Sequence, residues 1–82
     1  MKRVFYVIED VSPNIFDRLG RRIWLLNDGT FATGRWYDRK KFKTLFFAKL
    51  KLSKLKNCRI IKIIREDKPN TELWETEEII GR

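Results

Sequence analysis

The 82-residue chain has 19 lysines and arginines against 11 aspartates and glutamates, so its formal charge is +8 and its pI is near 10.0. A chain of this size buries only about 60% of its unfolded surface, which predicts one small domain with a thin core. The absence of histidine and the single cysteine, Cys58, exclude a Ser-His-Asp triad, a histidine metal ligand, a cysteine zinc site and an internal disulfide bond.

The positive charge is concentrated in the middle of the chain. Residues 35–65 carry a net charge of +11, whereas residues 1–34 carry +1 and residues 66–82 carry −4. A block of this kind favours a polyanionic partner, because neutralised phosphates release their counterions. The simpler alternative is a lysine-rich surface that aids solubility.

The first half of the chain predicts strands and one tight turn. Residues 4–8 are β-branched and aromatic and predict a strand, and residues 22–26 predict a second. Between them, Ser12 and Pro13 favour a short helix over residues 15–19 ended by Gly20, although a loop fits equally well. Asn27, Asp28 and Gly29 form a turn signal that predicts a hairpin with a third strand over residues 30–36, where Gly34 marks a bulge or a close backbone approach.

The basic block predicts a helix over residues 45–56, capped by Thr44 and ended at Asn57. Four apolar residues fall on one stripe of this helix and predict the face that packs on the sheet: Leu45, Ala48, Leu52 and Leu55. Residues 41–56 also resemble a basic amphipathic helix of the kind that binds a membrane surface or a partner groove. The neighbouring strands favour packing inside the domain instead.

The last third of the chain predicts a fourth strand over residues 58–65, whose four isoleucines disfavour a helix. A turn follows at residues 67–70. Residues 71–80 fit either a short acidic helix or a fifth strand. This acidic segment either folds onto the basic block as a phosphate mimic, or uses Trp74 and its apolar neighbours to seal the core or a dimer interface.

These elements predict an α+β fold: a small, mostly antiparallel β-sheet in the order β-β-β-α-β, with one basic helix packed on one face. Residues 1–82 form a single domain in this interpretation, with a core over about residues 3–66 and the acidic segment 67–82 packed on it or at a dimer interface. The second sheet face is expected to expose apolar surface, which suggests a homodimer.

The interleaving of cations and aromatic rings in the basic block indicates nucleic-acid binding. Sequence-specific binding motifs are absent, so the prediction is phosphate-dominated binding without sequence preference. The predicted nucleic-acid-binding residues are Arg35, Arg39, Lys40, Lys41, Lys43, Lys51 and Lys54, with Trp36 and Tyr37 as stacking platforms or, alternatively, as ordinary core aromatics.

The main enzymatic alternative is a nuclease. Glu66, Asp67 and Lys68 at the end of a strand resemble a metal-dependent nuclease motif, with Asp28 or Asp38 as the acidic residue on a neighbouring strand. Three charged residues before a Pro-Asn turn are more typical of a turn, and the chain is smaller than such folds require. We therefore expect no enzyme, no catalytic residue, no cofactor and no metal.

Several segments resemble small early proteins of large tailed phages: residues 5–8 as a YVI-type strand, residues 27–31 as an NDGTF hairpin, residues 49–55 as a lysine-rich helix and residues 60–64 as an isoleucine strand. In size and charge the chain is similar to the phage-encoded RNA-binding inhibitors of the ToxIN toxin–antitoxin system. The resemblance implies RNA binding without sequence preference and the trapping of a host toxin endoribonuclease with RNA.

The sequence therefore supports two alternative functions. The first is sequence-nonspecific RNA binding, and the second is a protein-interaction module whose basic surface inhibits a host protein without nucleic acid. No apolar run approaches the length of a membrane span, so the expected location is the cytoplasm, that of the host cell if the chain is phage-encoded.

Overall fold

A computed structural model of the chain describes residues 2–11, 22–33, 36–67 and 73–81. Within these residues one five-stranded antiparallel sheet has the order β3-β2-β1-β4-β5 and carries one helix. The α+β prediction is confirmed, but the element order is β-β-β-α-β-β because residues after the fourth strand add a fifth.

The centre of the sheet is the pair formed by β1 (Lys2–Asp10) and β4 (Cys58–Asp67). They pair without interruption from Lys2 opposite Glu66 to Asp10 opposite Cys58. β1 contains valine, isoleucine and aromatic residues, and β4 contains four isoleucines; such branched or flat side chains fit a pleated surface covered on both sides. Each strand is longer than the sequence predicts, because charged residues at the strand ends continue the ladder.

The predicted hairpin is present but short. It joins β2 (Ile23–Leu25) to β3 (Phe31–Thr33). The Asp28 carboxylate accepts hydrogen bonds from the backbone N–H and hydroxyl of Thr30, and Gly29 has φ +88°, a conformation that costs a glycine nothing. The third strand does not reach residue 36, because residues Trp36–Asp38 turn into a short 3-10 helix.

The acidic segment is a strand. β5 (Leu73–Gly81) pairs antiparallel with β4, from Asp67 opposite Leu73 to Ile60 opposite Gly81, with a bulge near Ile61. Of the two alternatives that the sequence leaves open, helix or fifth strand, the strand is therefore the one observed. Its pairing covers the edge of β4 and makes β5 a nine-residue edge of the sheet.

The basic helix α1 runs from Leu45 to Leu52 and is one turn shorter than predicted. The Thr44 hydroxyl accepts a hydrogen bond from the Phe47 N–H at 3.3 Å, as the predicted cap requires. The helix ends at Leu52, and turns carry the chain to Asn57, which has φ +57°. Asparagine tolerates this left-handed conformation better than most residues.

Side chains form a core on each face of the sheet. The helix-side core contains Ile8, Leu25, Phe42, Ala48, Leu52, Cys58 and Ile60, and the predicted stripe residues Leu45 and Leu55 pack against it. The opposite core contains Phe5, Val7, Trp24, Leu26, Ile61 and Ile63. The second face is therefore buried, not an exposed apolar surface, which removes the observation that suggested a homodimer.

Some sequence predictions fall on residues outside the described ranges. They are the short helix at residues 15–19 with its signals at 12, 13 and 20, the bulge at Gly34, and the turn at residues 68–70. Among the described residues, no helix is long and apolar enough to cross a membrane.

Candidate nucleic-acid interface

The start of the basic block is an extended segment inserted beside β1. Phe42 exchanges two backbone hydrogen bonds with Tyr6, at 2.8 and 2.9 Å, and the Lys40 N–H donates to the Leu25 carbonyl at 2.9 Å. Side chains of an extended segment alternate between faces. Lys40 and Lys41 therefore lie on opposite faces of the sheet, although they are neighbours in the sequence.

Contacts with aromatic rings confirm this alternation. On the helix side, the Lys40 Nζ lies 5.9 Å from the centre of the Phe42 ring. On the opposite side, the Lys41 Nζ lies 5.7 Å from the Phe5 ring, and both distances suit cation–π attraction. The predicted basic cluster around residues 39–43 is therefore divided between two surfaces.

Arg39 is buried in the opposite core instead of lying at the surface. Its side chain is only 2% exposed, and its guanidinium lies 4.7 Å from the Trp24 ring and 3.1 Å from the Glu75 carboxylate. Arginine suits this position because its planar head stacks on the ring and binds the carboxylate at the same time. The prediction that Arg39 contacts phosphates does not fit this placement.

Glu75 on β5 is shared by two arginines. Arg65 donates to its carboxylate at 2.6 and 3.0 Å, and Arg39 donates from the other side. Burial alone would raise the pKa of the Glu75 carboxyl, but the hydrogen bonds from Arg65 and Arg39 outweigh it and lower this pKa. Glu75 is therefore a carboxylate at neutral pH, and it neutralises charge from the basic block.

A second carboxylate, Glu9 on β1, is shared in the same way. Arg59 donates to it at 2.6 Å, and Arg22 also donates to it while binding Glu77 on β5. Burial raises the pKa of Glu9, but the bonds from Arg22 and Arg59 dominate and lower it. The ion pairs of Glu9, Glu75 and Glu77 all join a glutamate to an arginine.

The lysines of the basic block have a different environment. Residues 40–56 contain seven lysines and no acidic residue. Lys43, Lys49 and Lys54 are exposed on or beside α1, and Lys51 is half-exposed. None of these lysines forms an ion pair with a described carboxylate, so the ammonium groups around α1 form a positive surface.

An apolar ridge runs along the outside of α1 between these lysines. Phe46 is 65% exposed, Phe47 56% and Leu50 50%. A helix has about 3.6 residues per turn, so Lys49 and Lys51 project on either side of this ridge. We call the set formed by Lys43, Phe46, Phe47, Lys49, Leu50, Lys51 and Lys54 the α1 outer surface.

The exposed phenylalanines were not among the stacking residues that the sequence predicted. Tyr37, which was predicted, is 60% exposed in the 3-10 helix, whereas Arg35 and the side chain of Trp36 lie outside the described residues. The signal for Phe46 and Phe47 was present in the helical periodicity. Both residues lie off the stripe that contains Ala48 and Leu52. Because that stripe faces the core, Phe46 and Phe47 face away from it.

The nuclease alternative gains no site from the structure. Glu66 is exposed at the end of β4, and Lys68 lies outside the described residues. Within the described ranges, no group of three or more aspartates, glutamates or cysteines is placed to hold a metal ion.

The chain was also compared with protein-family models, curated proteins and solved structures, and no match was found.

Proposed function

We propose that this chain is an RNA-binding protein without sequence preference, and that its α1 outer surface contacts the phosphates. The observation that carries the proposal is that arginines are ion-paired, whereas the lysines of α1 and its flanks form no ion pair with a described carboxylate. Four of the described arginines are paired with Glu9, Glu75 or Glu77, while the lysines of residues 40–56 have no acidic residue among them. Lysine side chains presented in this way bind a polyanion through counterion release.

The proposal is tested by fluorescence anisotropy with labelled RNA at about 50 and 200 mM salt. If about six phosphates are neutralised on a single strand, log K should fall against log salt with a slope of about −4. The combined change Lys49→Gln and Lys54→Gln should weaken binding to all RNA sequences alike and make the slope shallower by about 1.4.

A matched control removes the same charge elsewhere. Lys2 and Arg3 are both exposed, at the start of β1, and their joint change to glutamine should leave the slope nearly unchanged. An equal effect of the two double variants would show that net charge alone matters, and a loss confined to one RNA sequence would contradict phosphate-dominated binding.

The second candidate is a protein-interaction module that inhibits a host protein, because the exposed Phe46, Phe47 and Leu50 also suit a protein contact. Purification separates the two functions. Ultraviolet absorbance of nucleic acid that nuclease removes supports RNA binding, whereas one protein retained after nuclease treatment supports the module. A toxin endoribonuclease retained only together with RNA would support the inhibitor role that the phage resemblance implies.

A further inference from the structure

The two exposed rings of the α1 outer surface make a corner. The ring centres of Phe46 and Phe47 are 5.6 Å apart and their planes meet at 72°. A planar group that lies parallel to one ring therefore meets the other ring edge-on, an arrangement that aromatic groups favour. Leu50, one turn further along the helix, extends the same apolar surface.

This corner fits a single nucleic-acid base that has left its stack. In a duplex, each base is covered on both faces by its neighbours, so an aromatic side chain cannot reach a base face without opening the helix. In a single strand, the bases can turn outward and stack on aromatic side chains. The rings therefore add affinity for a single strand and none for the side of a duplex.

The charges beside the corner match the same ligand. Lys49 and Lys51 project on either side of the ridge, and Lys43 and Lys54 are exposed before and after the helix. A base on the rings would place its own phosphate and the neighbouring phosphates within the range of these ammonium groups. The alternating order of cation, ring and cation is the arrangement found where single strands bind without sequence preference.

We propose that the α1 outer surface selects single-stranded over double-stranded nucleic acid by stacking a base against Phe46 and Phe47. The proposal rests on the proposed function and deepens it, because the lysines alone would bind both forms. Selection comes from the rings, whereas the salt-dependent part of the affinity comes from the lysines.

The test compares a labelled single-stranded RNA of about twelve nucleotides with a duplex RNA of the same length. The joint change Phe46→Ala and Phe47→Ala should weaken single-strand binding at least about tenfold and change duplex binding less than about twofold. Phe31→Ala is the control, because Phe31 is another exposed phenylalanine but lies on β3. It should change neither affinity.

A fluorescent base analogue in the RNA gives a second readout. 2-Aminopurine brightens when it leaves a base stack, so its signal should change when the unmodified protein binds and not when the double variant binds. An equal loss of affinity for both RNA forms, or no loss for the single strand, would overturn the proposal. Circular dichroism of the double variant confirms that a loss reflects the rings and not the fold.

Two further outcomes separate this proposal from the proposed function. If the unmodified protein binds neither RNA form at low salt, the proposed function fails together with the proposal. If it binds both forms and the double variant is unchanged, only the stacking proposal fails. Vesicles containing phosphatidylserine are the remaining probe: if the double variant loses vesicle binding but keeps single-strand affinity, the ridge is a membrane contact and the proposal is wrong.

Discussion

Replacing Glu75 by glutamine tests whether the arginine pairs hold β5 to the rest of the domain. The Glu75 carboxylate lies 2.6 Å from Arg65 and 3.1 Å from Arg39, and Arg39 is almost fully buried. Glutamine keeps the shape and one acceptor oxygen but removes the negative charge. Two arginines would then face a neutral amide, and the side chain of Arg39 is only 2% exposed to water.

The size of the effect follows from this burial. Removing one partner of a fully buried ion pair costs about 3–5 kcal/mol. Glu75 is itself 22% exposed, so we expect a loss of about 2–3 kcal/mol. A domain of this length has a free energy of unfolding of about 4–12 kcal/mol. The melting temperature should therefore fall by about 10–20 °C.

Urea unfolding followed by tryptophan fluorescence and circular dichroism measures the loss, and Glu78→Gln provides the matched control. Glu78 is on the same strand, is exposed and undergoes the same chemical change, so its substitution should cost less than about 0.5 kcal/mol. If the two variants lose the same small amount, the carboxylate of Glu75 does not hold β5, and the reasoning is refuted.

The pH dependence of the free energy of unfolding, measured for the unmodified protein and for Glu75→Gln, gives an independent check. The pKa of Glu75 is lowered in the folded chain, so its contribution is complete above the ordinary glutamate value of about 4.3 and disappears as the pH falls through the lowered pKa. The stability gap between the unmodified protein and Glu75→Gln should be constant above about pH 5 and narrow below about pH 4. The lowered pKa of Glu9 acts in both proteins and cancels from the gap.

Two smaller predictions concern the ends of the α1 region. Thr44→Ala should cost about 1 kcal/mol in thermal unfolding because the cap to the Phe47 N–H is lost, and Thr44→Ser should restore most of it; equal stabilities of the two variants would argue against the cap. Asn57→Val should cost at least about 1 kcal/mol because φ is +57°, whereas Asn57→Gly should be nearly neutral; a neutral valine variant would contradict the left-handed conformation.

Local patterns were sufficient to predict most of the fold. β1 and β4 follow from runs of β-branched residues, the hairpin follows from Asn27–Gly29, and the helix follows from one apolar stripe. The sequence does not decide between helix and strand for β5, because a segment with Glu75, Glu77 and Glu78 has weak strand propensity. It forms because it pairs with β4 and because two of those glutamates bind arginines, which are contacts between distant parts of the chain.

The candidate site was harder to predict for the same reason. Composition locates the basic block but does not distinguish a buried cation from an exposed one. Arg39 and Lys40 are adjacent, yet only a long-range partner such as Glu75 decides that the arginine is buried. The register of the inserted segment, set by its hydrogen bonds to Tyr6 and Leu25, likewise places Lys40 and Lys41 on different surfaces.

The position of β1 in the middle of the sheet has a consequence for folding kinetics. Its main partner is β4, so β1 pairs with residues 48 to 64 positions later in the chain, from Asp10 opposite Cys58 to Lys2 opposite Glu66. A large loop must close, at a cost in chain entropy, before the contacts of this pairing can form. Folding is therefore slow for a chain of this length, in the range of milliseconds to seconds. Until then, the edge of β4 that pairs with β1 stays open, and chain association competes most strongly with folding at this stage.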